Sequence, residues 1–173
     1  MQKRRPAQFS LPFNDYDNVS VSDVIVRRAG QRELDDAWAI VSEYYDAVSV
    51  VARESREVFE REYFGEGAGI WLATTAEGVV GCIALRPLSG IPHAGEVKRL
   101  YVKPAGRGQG IAGLLLDALH NYARAASYDW LYLDSKDDLE TAIRFYEKQG
   151  YEHCDRYNDN PQATIFMRKR ITS

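Results

Sequence analysis

The 173-residue sequence has few cysteines, no surplus of basic charge and no long apolar run. Cys82 and Cys154 are far apart in the sequence and show no metal-ligand spacing with each other or with the three histidines. We therefore expect reduced, packed cysteines and no metal site. The net charge of −3 provides no general basic field, which argues against a nucleic-acid partner. No segment reaches membrane-spanning length and the first residues lack a signal-peptide core, so we expect a cytoplasmic protein without a membrane partner.

Composition predicts one globular unit with a short extension before it. Hydrophobic residues make up 45% of the chain and charged residues 27%, which are ordinary values for a folded domain. Residues 1–23 mix a basic start with scattered large apolar side chains and are predicted as an N-terminal arm that packs on the domain or on a second subunit. Residues 24–173 are predicted as a single domain, and a homodimer is among the expected assemblies.

The most informative stretch is residues 96–117, which predicts a strand, a glycine loop and a helix in that order. Apolar β-formers precede Pro104, which cannot donate to a sheet ladder. Residues 106–110 contain three glycines. A helical face then follows at i, i+3, i+4, i+7, i+8 and i+11, formed by Ile111, Leu114, Leu115, Ala118, Leu119 and Tyr122.

A glycine loop that leads into a helix suits a phosphate group. Glycine allows close backbone approach, and the first helical turn presents unpaired N–H groups at the positive end of the dipole. Arg107 adds a cation suited to bidentate phosphate contact. A Walker A loop is excluded because no Lys-Ser/Thr follows. The dinucleotide fingerprint is formally met at Gly108, Gly110 and Gly113, but no βαβ unit begins there. A helix start that binds nothing also stays open.

Three segments together resemble the GNAT superfamily of N-acetyltransferases. Arg107, Gly110 and Ala112 reproduce its R/Q-x-x-G-x-G/A acetyl-CoA loop. Residues 98–102 (KRLYV) resemble its fourth strand, and residues 142–151 (AIRFYEKQGY) resemble its late helix. The likeness extends over about residues 24–171 with order and spacing kept. A subgroup that also carries LDT and a closing Y-x-x-N-P is especially similar, and here residues 133–135 and 157–161 take those places.

The resemblance implies an α/β (α+β) fold: a mixed, mostly antiparallel sheet of about seven strands with helices on both faces. It implies transfer of an acetyl group from acetyl-CoA, as cosubstrate and without a metal, to a primary amine of a small molecule, amino acid or peptide. A non-catalytic acyl-CoA-binding sensor on the same fold is the alternative. An α/β domain with a purely structural glycine loop is the third reading.

The resemblance also assigns roles to individual residues. Tyr146 is the expected general acid, because a phenol can protonate a departing thiolate at neutral pH. Glu96 is the expected base, with an ammonium anchor or a simple ion pair as the other readings. A strand that splays from its neighbour is expected to pair with pantetheine. The expected cosubstrate contacts are Leu100, Tyr101, Val102, Arg107, Gly108, Gln109, Gly110, Ile111, Ala112 and Tyr146. Leu139 stands where the family often has an asparagine that meets pantetheine.

The remaining expectations concern the acceptor side and the element bounds. Helices are predicted at about 31–50 and 54–64, and a last hairpin at 152–156 with 164–170. Arg86 is a candidate to bind an acceptor carboxylate, with a solvent-exposed or ion-paired side chain as the alternative. The predicted pocket aromatics are Tyr44, Tyr45, Phe59 and Tyr63, with core packing as the alternative. The predicted cationic patch for CoA consists of Lys98, Arg99, Lys103 and Arg107.

Overall fold

The computed structural model of the protein describes residues 19–21 and 23–171. The strands in this part of the chain are β1 (Val19–Val21), β2 (Val24–Arg28), β3 (Gly69–Thr75), β4 (Gly78–Pro87), β5 (Ala94–Val102), β6 (Trp130–Ser135), β7 (Glu152–His153) and β8 (Ile165–Arg170). The helices are α1 (Leu34–Ala47), α2 (Arg56–Tyr63), α3 (Ile111–Ala125) and α4 (Glu140–Lys148). Short 3-10 turns occupy Gln31–Glu33 and Pro104–Gly106.

The described strands form one sheet in the order β1-β2-β3-β4-β5-β6-β8-β7. Every neighbouring pair is antiparallel except β5 and β6, which run parallel. The mixed, mostly antiparallel sheet predicted from the sequence is therefore confirmed. It gains a short strand, β1, from the segment predicted as an arm. The arm prediction for residues 1–18 and 22 lies outside the described residues.

Each face of the sheet carries its own apolar core. One face packs against α3 and α4 through a cluster that includes Val97, Leu115, Leu119, Leu131 and Tyr146. The other face packs against α1 and α2 through a cluster that includes Ile40, Tyr45, Phe59 and Tyr101. Helices on both faces are thus confirmed, and burial of both sheet faces explains the near-continuous apolar runs in the central strands.

A β-bulge in β5 changes which side chains share a face. Cys82 pairs with Tyr101 and Ala84 with Lys98, so two residues of β5 stand opposite one of β4. Arg99 takes the left-handed conformation there, with φ of 59°. A bulge inserts one residue and re-aims the side chains beside it. As a result Leu100 packs on the α3 side, while Arg99 and Tyr101 both lie on the α1 side.

Several predicted bounds need correction. The first helix is shorter than 31–50, because Gln31–Glu33 is a 3-10 turn and the chain leaves the helix before Ser49, at φ of 54°. The second helix is Arg56–Tyr63, with the Ser55 hydroxyl accepting from the Val58 N–H at its start. The predicted strand at 152–156 is only Glu152–His153. After His153 the chain leaves the strand, and residues 158–163 of the following loop line a cleft beside β6.

Candidate active site

The glycine loop presents a row of free backbone donors. Gly108 and Gly110 have φ of 76° and 78°, a region that glycine adopts without steric cost. The first helical hydrogen bond of α3 runs from the Leu114 N–H to the Gly110 carbonyl at 3.2 Å. Within the described part of the chain, no backbone acceptor meets the N–H groups from Gly108 to Gly113. These donors and the helix dipole favour an anion at this surface.

The sheet opens next to this loop. Strands β5 and β6 pair only where Ala94, Gly95 and Glu96 face Trp130, Leu131 and Tyr132. Beyond that point β5 continues to Val102 and β6 to Ser135 without pairing to each other. The inner edge of β5 therefore leaves backbone groups for an extended ligand, in the way that a sheet edge accepts an added strand. At the C-terminal end of β5, the Val102 carbonyl accepts a hydrogen bond from Arg107 Nε at 3.0 Å.

A cleft of about 990 Å³ fills the gap between the two strands. Four predicted site residues line it, namely Leu100, Tyr101, Arg107 and Tyr146. Val102 and the loop residues Gly108, Gln109, Gly110, Ile111 and Ala112 lie outside its lining, and the loop is largely exposed at the surface. A site for a long ligand would therefore run from the cleft to the exposed loop that carries Arg107.

Glu96 sits beneath the cleft in a dense ionic network and does not line it. Its carboxylate is 2% exposed and lies 2.8 Å from Arg86 Nη2 and 3.3 Å from Lys98 Nζ. The Tyr157 hydroxyl and the Asn158 amide also donate to it, each at 3.1 Å. Burial would raise the pKa of Glu96, but the charges of Lys98 and Arg86 outweigh it and lower that pKa. This geometry favours the ion-pair reading, and the base role stays a prediction.

Asp134, at the end of β6, joins the cleft wall to the loop that follows β7. It lies 3.0 Å from Lys98 Nζ, and the side-chain amides of Asn158 and Asn160 donate to its other oxygen at 2.7 and 3.1 Å. Burial would raise its pKa, and Lys98 and the two amides outweigh this and lower it. The asparagines were noted in the sequence only as part of a motif. Their position on the site depends on a contact across about 25 residues that no local pattern indicates.

Tyr146 projects from α4 into the cleft and is 6% exposed. Burial raises its pKa well above the ordinary value, and the nearby Tyr44 and Asp134 raise it further. The phenol therefore keeps its proton at neutral pH. A protonated phenol is the form that a proton donor needs, and the acid role stays a prediction.

Arg99 occupies the bulge and lies at the α1 side of the cleft. Its Nη2 is 3.2 Å from Glu54 Oε1, and its guanidinium lies 5.0 Å from the centre of the Tyr45 ring. Its buried Nε has no hydrogen-bond partner among the described residues. Glu54, which also accepts from the Tyr45 hydroxyl, was not recognised from the sequence.

The predicted cationic patch is mostly internal pairing. Lys98 and Arg99 are ion-paired with Glu96, Asp134 and Glu54, and Lys103 lies 3.5 Å from Glu43. Arg107 is exposed at the loop and enters no salt bridge with a described residue. Arg86 is likewise paired, to Glu62 at 2.7 Å and to Glu96.

Of the four predicted pocket aromatics, Tyr44 lines the cleft. The other three belong to the core between α1, α2 and the sheet, with exposures of 0–1%: Tyr45, Phe59 and Tyr63. The helix faces that carry these three side chains pack against the core and do not face the cleft. Periodicity alone does not separate a core position from a pocket position.

A second cleft, of about 500 Å³, lies beside β7 and β8 and shares no lining residue with the predicted site. Within residues 19–21 and 23–171, no group of three or more His, Cys, Asp or Glu side chains is placed to hold a metal ion. None of the described helices is both long and apolar enough to cross a membrane.

Comparison with known proteins identifies the family of this sequence. Residues 66–153 match the acetyltransferase (GNAT) domain family. An uncharacterized N-acetyltransferase of Schizosaccharomyces pombe is 31% identical over 164 residues, covering 90% of this chain and 96% of the relative.

Solved structures share the fold. A GNAT-family acetyltransferase from Staphylococcus aureus superposes with a TM-score of 0.73 at 18% identity, covering 86% of this chain and 99% of that one. N-acetylglutamate synthase from Neisseria gonorrhoeae, solved with coenzyme A and N-acetyl-glutamate, gives 0.71 at 17% identity, covering 88% of this chain and 36% of that one. The domain match and the yeast relative together show that this chain belongs to the GNAT family of acetyltransferases.

Proposed function

We propose that the protein transfers an acetyl group from acetyl-CoA to a primary amine of a small molecule, amino acid or peptide. The observation that carries this proposal is the opened edge of β5 directly beside the free N–H groups of the 108–113 loop. Together they offer hydrogen bonds for a pantetheine arm and an anion site for the pyrophosphate. The acetyl-CoA requirement and the amine acceptor both belong to the proposal.

The transfer forms a C–N bond and breaks a C–S bond, so the amine must lose a proton and the sulfur must gain one. Tyr146 is proposed as the donor to the sulfur, since its hydroxyl is protonated and lines the cleft. The free backbone N–H groups of β5 are proposed as donors to the carbonyl oxygen as it gains charge.

The amine arrives as an ammonium ion, because an alkyl amine has a pKa near 10. Glu54 and Asp134 are carboxylates on the cleft lining that could accept this proton. Both carboxylates already accept hydrogen bonds from the protein, so we propose that the amine releases its proton to cleft water. Glu96 would then act as an anchor that holds Arg86, Lys98 and the 157–160 loop in place.

The decisive experiment is thiol release from acetyl-CoA in the presence of a panel of primary amines. Amine-dependent release above the hydrolysis background would support the transferase. CoA binding with no release for any amine would favour the sensor alternative. The absence of both binding and release would leave only a structural role for the glycine loop.

A charge reversal at Arg107 tests the phosphate site. Arg107→Glu should weaken CoA binding by at least about 100-fold, since it removes a bidentate phosphate contact and adds repulsion. Arg32→Glu makes the same charge change at an exposed residue outside the cleft lining and serves as control. Calorimetric titration with CoA measures both. Equal affinities for the two variants would rule out the Arg107 contact.

A further inference from the structure

Arg99 has more donor capacity than the protein uses. Its Nη2 reaches Glu54, and that carboxylate is shared with the Tyr45 hydroxyl. Its Nε is buried without a partner among the described residues. A guanidinium offers five N–H donors in a planar fork, and buried donors without acceptors are costly. The Nε is enclosed by the protein, so a ligand can meet only the Nη groups, and Nη1 makes no hydrogen bond to a described residue.

The backbone at Arg99 points to a ligand as well. A non-glycine residue with φ of 59° is strained, and such residues concentrate at ligand sites. Here the strain has a specific effect: the bulge turns Arg99 to the α1 side of the sheet, where it lines the cleft. Without the extra residue, regular alternation would place Arg99 on the α3 side, away from Tyr44 and Glu54.

The other cations of the cleft are less available. Arg86 and Lys98 each meet two carboxylates, and Arg53 is paired with Asp46 at 2.7 Å. Lys136 also lines the cleft and donates to the Val48 carbonyl at 3.1 Å without an ion pair to a described residue, but its ammonium lacks the planar fork that matches a carboxylate. Arg107 belongs to the glycine loop. Arg99 is therefore the best-placed planar cation at the acceptor end.

We infer that Arg99 is a specificity-determining residue that binds a carboxylate of the acceptor, so that the acceptor is an amino acid with its carboxylate close to the amine. This inference rests on the proposed acetyl transfer. Arg99 is adjacent in sequence to Leu100, on the opened part of β5, so a carboxylate held by Arg99 lies near the site of transfer. A zwitterion suits a cleft that carries both Arg99 and the carboxylates Glu54 and Asp134.

The test compares free α-amino acids with their carboxamides, which keep the amine and lose the carboxylate. In the wild type, kcat/KM should favour the free acids by at least about 10-fold, as expected when a charge-assisted hydrogen bond is lost. The carboxamide amine is the less basic of the two, so more of it is unprotonated at neutral pH. A preference for the acid therefore cannot arise from amine ionisation.

In Arg99→Gln, KM for the free acids should rise about 10- to 100-fold, while kcat and the carboxamide KM stay within about 3-fold. Arg99→Lys keeps the charge without the fork and should restore part of the preference. The double variant R99Q/E54Q leaves neither partner as a buried lone charge, and it should show the same loss of preference if R99Q alone is unstable.

Arg53→Gln, which removes a paired cation at the cleft rim, is the matched control and should keep the acid preference. Equal kcat/KM for acids and carboxamides in the wild type, or an equal loss for both in R99Q, would overturn the carboxylate assignment and leave the proposed transferase intact. Collapse of the preference in Lys136→Gln but not in R99Q would also overturn it. Absence of thiol release with every amine would overturn the transferase and this inference together.

Discussion

Replacing Glu96 with glutamine separates its two proposed roles, catalytic base and structural anchor. The side chain is 2% exposed and contacts Arg86, Lys98, Tyr157 and Asn158. Glutamine has nearly the same shape but no charge. Its side-chain NH₂ group would face the donor groups that now contact the Glu96 carboxylate. The anchor role predicts that E96Q mainly destabilises the fold and loosens the cleft wall.

The expected loss is about 3 kcal/mol in the free energy of unfolding, the lower end for removing one partner of a buried ion pair. The lower end applies because Arg86 keeps Glu62 and Lys98 keeps Asp134. The matched control is Glu62→Gln. Glu62 binds the same Arg86 at 2.7 Å, but its side chain is 30% exposed, so we expect a loss below about 1 kcal/mol.

Urea denaturation of the wild type, E96Q and E62Q measures these differences, and the pH profile of kcat/KM under folding conditions provides the second readout. An anchor predicts that E96Q keeps the wild-type shape of the profile. The reasoning is refuted if E96Q is as stable as E62Q while kcat falls at least about 100-fold and the acidic limb of the profile disappears. That outcome would make Glu96 the base.

Three further predictions concern Tyr146, His120 and the glycines at the start of α3. Tyr146→Phe should lower kcat about 100-fold with little change in CoA affinity, and an unaltered rate would remove the acid assignment. His120, whose Nε2 lies 2.9 Å from the Tyr151 hydroxyl, has its pKa lowered to about 3 by burial and by the charges of Lys169 and Arg124. Because the folded pKa is below the unfolded value, the stability it contributes is complete above pH 6.5 and is lost as the pH falls toward 3. Between pH 7 and 5 the wild type should therefore lose about 2 kcal/mol more than His120→Gln in chemical denaturation, and parallel losses would contradict the burial argument. Gly110→Ala should cost about 1 kcal/mol through backbone strain at φ of 78°, while Gly113→Ala, in the first turn of α3, should be neutral or stabilising in the same assay. Equal effects of the two alanines would contradict the strain argument.

The strand, loop and helix around Arg107 could be predicted because each signal is local. Apolar spacing, Pro104 and the alternating glycines act on their own neighbours, and α3 begins at Ile111 as expected. The element bounds near 31–50 and 152–156 were less accurate. A 3-10 start and a two-residue strand depend on tertiary contacts that propensity does not report.

The same difference between local signals and tertiary contacts applies to the site residues. Tyr146 lines the cleft and the glycine loop leads into α3, positions that follow from one helix face and one turn, and their roles stay predictions. The buried state of Tyr45, Phe59 and Tyr63 was open, since a core stripe and a pocket stripe have the same period. Arg99 was taken as part of a cationic patch, and its bulge was not foreseen.

By itself, the sequence determined the order of elements, the glycine turn before α3 and the family, since these depend on neighbouring residues and on motif spacing. Tertiary structure alone decided how far β5 parts from β6, which carboxylates neutralise which cations, and where Arg99 points. Those features depend on pairing register and on contacts between residues far apart in the chain, and a one-residue bulge is enough to exchange the faces of a strand.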